Sequence, residues 1–152
     1  MKTAINITLG TLLLLVLVAS SLQAQQCSTR TTAGRYLVRC DGFLTPGPNA
    51  PQVPAKTLAI ATADKQGNFT GSGTVSVGGV TVTQTLTGTE QINPDCTGTI
   101  TYSQTINGQA GPPINITFVV SEGSDQIDGL VTDAGNTFAC NLTRTPRGHE
   151  KQ

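Results

Sequence analysis

A carboxylate, an amide and a phenol facing one interior could either move a proton or orient a polar group of a ligand. Glu90, Gln84 and Tyr102 are the residues whose spacing allows this. Gln84, Leu86, Gly88 and Glu90 share one parity, and Tyr102 shares that of Gly98 and Ile100 in the following segment. A plainer account competes: a strand bulge that turns Glu90 to solvent, or a satisfied structural hydrogen bond. Other chemistry has less to work with. The only histidine, His149, stands in a polar C-terminal stretch, away from any Ser-His-Asp or Cys-His grouping in the folded body. No His/Cys/Asp cluster has zinc spacing, so neither a metal nor a cofactor is expected. Gly71-Ser72-Gly73 lies inside a strand pattern rather than between a strand and a helix, which is the wrong setting for a phosphate cradle.

These residues sit on an alternating frame. Val75, Val77, Val80, Val82 and Leu86 occupy one parity, and Thr74, Ser76, Thr81, Thr83, Thr85 and Thr87 the other. A period of two sustained this long means strands with one buried face. The parity changes only at Gly78-Gly79, a hairpin signal that pairs Val77 with Val80, Val75 with Val82 and Gly71 with Leu86. Asn93-Pro94-Asp95 forms the next turn. With Cys96 opening the fifth strand, Ile92 would oppose Cys96, Glu90 would oppose Gly98, and Gly88 would oppose Ile100. The remaining strands are expected at 35–44, 56–63, 114–121, 126–132 and 137–144, with Gly/Pro loops at 45–54 and 107–113. Eight strands in sequence order, with no helical segment among them, predict an all-β, antiparallel up-and-down barrel, with a β-sandwich as the alternative.

Residues 1–24 read as a secretory signal peptide: Lys2, an apolar run over 9–18, then small residues at 20–24. That run is too short for a membrane span and nothing later replaces it, so no membrane span is expected after signal removal. Residues 25–145 form one domain, and 146–152 a disordered tail. Nine basic and nine acidic residues leave no net charge to favour nucleic acid. Four cysteines, Cys27, Cys40, Cys96 and Cys140, follow the signal. An even number in an exported chain argues for two disulfides and a secreted or periplasmic location, with three connectivities open. Asn68, Asn115 and Asn141 each head an Asn-x-Thr triplet, a glycosylation acceptor in a eukaryotic pathway and a chance product in a Thr-rich chain.

Three motifs carry a resemblance: Gly34-Arg35-Tyr36 in the first strand, the run from Asp64 to Phe69, and Asn93-Pro94-Asp95-Cys96-Thr97-Gly98. Over most of the chain these resemble small secreted bacterial proteins of unknown function, of an Acidobacteria-type family. The resemblance implies a calycin-like or allene-oxide-cyclase-like β-barrel and no established activity.

In a closed meander the first strand pairs with the eighth, and Cys40 and Cys140 both face inward at compatible heights. Cys27 precedes strand one and Cys96 opens strand five, both at the end where odd strands begin. The expected bridges are therefore Cys40–Cys140 and Cys27–Cys96, the second drawing the N-terminal segment across that end. The other end collects the loop carrying Pro46, Pro48, Pro51 and Pro54, a candidate lid over a mouth. Inward glycines at 71, 73, 88, 98 and 129 would leave room inside; the competing reading is a barrel filled by its own side chains, with the loop merely decorative. A non-catalytic binder of a small apolar ligand is the function this favours. The alternatives are a structural or surface-interaction protein and, with less support, a cyclase- or isomerase-type enzyme using Gln84, Glu90 and Tyr102.

Overall fold

The computed structural model describes residues 26–45, 47 and 49–146. Residues 1–24, read above as a signal peptide, Pro46, Pro48, and residues 147–152 with His149 lie outside the described residues. One helical turn, α1 (Thr29–Thr32), precedes eight strands: β1 (Gly34–Leu44), β2 (Val53–Ala63), β3 (Asn68–Val77), β4 (Val80–Ile92), β5 (Thr97–Ile106), β6 (Gln109–Val120), β7 (Gln126–Val131) and β8 (Thr137–Arg144). The strands close in sequence order into one antiparallel barrel, which decides against the sandwich. Alternation directs Tyr36, Val38, Leu86, Ile100, Phe118 and Ile127 inward and the threonine rows outward. Closure leaves no free sheet edge for another chain to pair with.

Several turns follow directly from residue type. Gly78 and Gly79 both take positive φ, and Val77, Val75 and Gly71 face Val80, Val82 and Leu86. Between β2 and β3, Asp64 Oδ1 accepts the N–H groups of Gln66 and Asn68, each at 2.9 Å. Asp95 does the same for Thr97 between β4 and β5. Hydrogen bonds from Asn68 and Thr97 hold these two exposed carboxyls below the usual aspartate range.

Three expectations need correction. The β4–β5 register is two residues away from the one anticipated, with Ile92 opposite Gly98, Glu90 opposite Ile100 and Gly88 opposite Tyr102. The cause is Cys96, which has φ 68° and belongs to the turn: its N–H reaches Asn93 O at 3.0 Å, so β5 starts at Thr97. A shift of two preserves every face assignment, because side chains alternate with period two. Second, 107–113 is not a loop. Asn107 and Gly108, both at positive φ, make a tight turn, and β6 already runs through Pro112 and Pro113. These prolines fall where the β5–β6 register shifts, between Ser103 and Thr105, and before β7 joins β6 at Ile116. Few ladder donors are needed there, so proline's missing N–H costs little. Third, β2 begins at Val53, and Pro54 pairs with Phe43 inside it, which shortens the connection after β1.

Two disulfides staple the barrel. Cys40 and Cys140 are direct register partners across the β1–β8 seam, and Cys27 is bonded to Cys96. Two such bonds fit an oxidising compartment. No helix among the described residues is long and apolar enough to cross a membrane. The three Asn-x-Thr asparagines have a structural use: their Nδ2 groups donate to Asp64 (3.0 Å), Asp133 (2.9 Å) and Asp128 (2.7 Å).

Cys40–Cys140 spans 100 residues. In the chain-entropy account such a loop restricts the unfolded chain by about 4–5 kcal/mol, and delivered values are often lower. The Cys40→Ala/Cys140→Ala variant is therefore expected to lose roughly 3–5 kcal/mol in urea unfolding; a loss below about 1 kcal/mol would show that the seam holds without its bridge.

Candidate functional site

The end of the barrel where odd strands begin is plugged by the segment 27–33. Its single helical turn is held locally by Thr31, whose Oγ1 accepts from the Ser28 N–H (3.0 Å) and donates to Ser28 O (2.7 Å). The disulfide to Cys96, the Cys27 N–H to Pro94 O (3.3 Å) and Thr29 Oγ1 to Lys65 O (2.9 Å) tie it to two neighbouring turns.

The last carbonyls of a helix have no partner within it. Here Arg144 supplies the donors. Nη2 donates to Thr31 O at 2.7 Å and Nη1 to Ala33 O at 2.8 Å, while Nε and Nη2 also reach Ser124 O. Nη2 donates to Tyr36 Oη at 2.8 Å, and the guanidinium carbon lies 5.1 Å from the Tyr36 ring centroid, a cation–π distance. The ion pair with Asp125, at 3.5 Å, involves an exposed carboxylate and adds little. A Cβ at position 34 would fall 2.5 Å from Arg144 Nη1, so Gly34 clears the path of the side chain.

Arg144 and Thr32 were absent from the residues expected at a site. Arg144 did leave a signal, since it continues the inward parity of Phe138, Cys140 and Leu142. Thr32 precedes the strand pattern and left none.

Glu90 is 7 % exposed, and its Oε1 accepts from Thr32 Oγ1 at 2.6 Å. Burial pushes its pKa up; the Thr32 hydrogen bond opposes this, and the charge of Asp64 adds to it. Tyr36 is buried beside this pair and donates to Thr32 O at 2.7 Å. Burial raises its pKa, nearby Arg144 opposes, and Glu90 raises it further.

Tyr102 is half-buried against Phe69, ring centroids 6.3 Å apart, and burial pushes its pKa up to about 12, with Asp133 adding. Glu90 is therefore coupled to Tyr36, and the charge bearing on Tyr102 is that of Asp133. A phenol held this high stays protonated at neutral pH, and Glu90 is already engaged by the plug. Gln84 lies opposite Gly73 and Ile106 and is 4 % exposed. Its Nε2 is the one fully buried side-chain polar atom without a hydrogen-bond partner among the described residues.

A cavity of about 60 Å³ lies within the barrel, its wall including Ala61, Leu86, Ile100, Ile116 and Ile127 together with Gln84. Glu90 and Tyr102 also border it. The expectation that five inward glycines leave room is not met. A Cβ at Gly98 would overlap Phe118, one at Gly88 would overlap Tyr102 and Phe69, and one at Gly129 would overlap Ile116, so side chains already use that space. At Gly73 a Cβ would fall 2.6 Å from Ala59 Cβ, and at Gly71 it would fall 2.8 Å from Ile60 O, so these glycines too admit a close neighbour. Of Gly71, Gly73, Ala59 and Ala61, only Ala61 borders the cavity.

The loop at 45–52 leans on the β7–β8 turn through Thr45 N–H to Asn136 Oδ1 (3.1 Å), Thr45 Oγ1 to Gly135 O (2.6 Å) and Gln52 Nε2 to Gly135 O (2.7 Å). Pro51 and Pro54 are exposed, and neither borders the cavity. Buried Ala55, Val75, Val131 and Phe138 pack the interior without bordering the cavity either. Among the described residues no group of His, Cys, Asp and Glu could hold a metal ion. A scan of protein-family models, a search of curated proteins and a search of solved structures each found no match to this chain.

Since the fold raises the Glu90 pKa above its unfolded value, the protonated form is favoured on folding. Its stabilising contribution is complete below the ordinary glutamate value of 4.5 and is lost as pH rises through the folded value. Glu90→Gln keeps an acceptor for Thr32 without the charge. Its melting temperature is expected to exceed that of the parent at pH 7, with the gap closing toward pH 4. Parallel melting curves across this range would mean Glu90 is no more buried in solution than in the unfolded chain.

Proposed function

We propose that this chain is an exported, disulfide-stapled barrel that holds a small apolar molecule in its interior without transforming it. The observation that carries this is the cavity behind the plug, walled mostly by aliphatic side chains and bordered by few polar groups. Its volume sets the scale. One water needs on the order of 10–15 Å³, and drug-sized ligands occupy pockets of about 300–1,000 Å³. A cavity of about 60 Å³ is well under the ~150 Å³ that takes a benzene ring, so it suits a molecule of about three or four heavy atoms rather than a ring or a long-chain lipid. Burying roughly 200 Å² of such a ligand gives about 5 kcal/mol before association costs, so weak binding follows.

The paired cysteines support export to a periplasm or beyond, and the motif resemblance to small secreted bacterial proteins with calycin-like barrels points the same way. Catalysis of a cyclase or isomerase kind has less support, because Glu90 is engaged by Thr32 and Tyr102 holds its proton. A surface-interaction role is the second reading, favoured by Val119 and Leu130, 52 % and 61 % exposed on the outer wall of β6 and β7.

Xenon enters dry apolar cavities. In methyl-labelled protein under xenon pressure, saturable shifts are expected at Leu86, Ile100, Ile116 and Ile127. Ala61→Leu, which fills the space, is expected to abolish them while the protein stays folded, and palmitate is expected not to bind. A parent protein that shows no xenon response loses the interior-binding function, leaving the outer wall as the place to look.

A further inference from the structure

We infer, on the footing of the interior binding proposed above, that the molecule held in the barrel carries a hydrogen-bond acceptor directed at Gln84 Nε2, a carbonyl on a compact apolar body being the simplest class. Gln84 is 4 % exposed, borders the cavity, and has an amide nitrogen that no protein group satisfies. Leaving a buried donor unpaired is costly, whereas an apolar residue of similar shape at the same place costs nothing of the kind. An amide therefore needs a reason to be there.

The protein supplies none. Its register neighbours Gly73 and Ile106 offer no side-chain acceptor. Glu90, the other buried polar residue on the wall, has Oε1 committed to Thr32. Water is the competing occupant, but an ordered buried water makes two to four hydrogen bonds. The other polar residues on the wall are Thr57, Glu90, Tyr36 and Tyr102, of which Glu90 and Tyr36 are engaged by the plug, and the rest of the wall is aliphatic apart from Phe69 and the Cys40–Cys140 bridge. An acceptor at one end of an apolar molecule satisfies the amide and covers the aliphatic wall together.

The cavity sets the size, about three or four heavy atoms, and the unpartnered amide sets the polarity. Nε2 has almost no accessible surface of its own, so binding turns the Gln84 amide toward the ligand.

The test compares acetone with isobutane, a pair of matched shape, by NMR titration of the oxidised parent protein and of Gln84→Met. The parent is expected to bind the ketone about tenfold more tightly than the hydrocarbon, the worth of one buried hydrogen bond. Gln84→Met is expected to fold at least as stably, since an unsatisfied group is removed, and to bind both with equal affinity. If the parent binds both equally, or if Gln84→Met keeps the preference, the acceptor assignment is wrong while interior binding stands. If neither compound binds although xenon does, the assignment also fails, because the space then suits only an atom-sized apolar guest. If the ketone, the hydrocarbon and xenon all fail to bind, the interior-binding function fails with it.

Discussion

The β1–β8 seam is the constraint on which the rest depends. Seven of the eight strand pairs join neighbours in sequence, and their hairpins form from local turn chemistry. The seam alone joins the first strand to the last, pairing Tyr36 with Arg144 and Cys40 with Cys140. Closing so long a loop is entropically expensive. The chain places there both a covalent bond and the densest set of charge-assisted hydrogen bonds in the molecule. Arg144 is the last residue of the last strand, and it satisfies the carbonyls of a helical turn that precedes the first. The plug is thus bound to the closure. If the seam opens, Arg144 leaves, and Thr31 O and Ala33 O lose their donors.

Much of the frame was legible because β-strand periodicity is robust to small errors. The β4–β5 register was misjudged by two residues, and the inward set was still right, since only an odd slip changes face. Cys40 and Cys140 could be matched because closure of any meander must pair its first strand with its last. What escaped were features that periodicity does not encode. Cys96 looked like a strand residue and adopts a left-handed turn conformation. Pro112 and Pro113 looked like a loop, because the register shift and the late arrival of β7 that tolerate them exist only once the sheet is assembled. Thr32 and Arg144 meet Tyr36 and Glu90 through tertiary contacts, and of these only Arg144 stood at a position where a charge was conspicuous.

The inward glycines show how a sequence can suggest volume that packing removes. Glycine in a strand admits a neighbour as readily as it leaves a hole. At 88, 98 and 129 the neighbours are Phe69 with Tyr102, Phe118, and Ile116, and the gaps close. At 71 and 73 the β2 strand itself comes close, its carbonyls and alanines occupying the space a side chain would need. Whether a glycine opens space depends on how near its partner comes, and the partner is known only when the register is. The inward glycines are thus points of close strand contact, and the room inside this barrel lies elsewhere, against Ala61, Leu86, Ile100, Ile116 and Ile127.

The two buried polar residues of β4 stand in contrast. Glu90 carries a desolvation cost, yet a reason for it can be read from the structure: it accepts from Thr32 Oγ1, and Tyr36 and Arg144 hold the same turn from its carbonyl side. Its polarity serves the plug. Gln84, six residues earlier on the same inward face, has no such account, because its nitrogen has no hydrogen-bond partner in the protein and the residue borders the cavity. A methionine or leucine there would suit a barrel whose interior serves stability alone, since cores gain by avoiding unpaired donors. An amide retained against that gain is best explained by something the barrel holds, which makes Gln84, more than the acidic residue beside the plug, the group that connects this fold to a function.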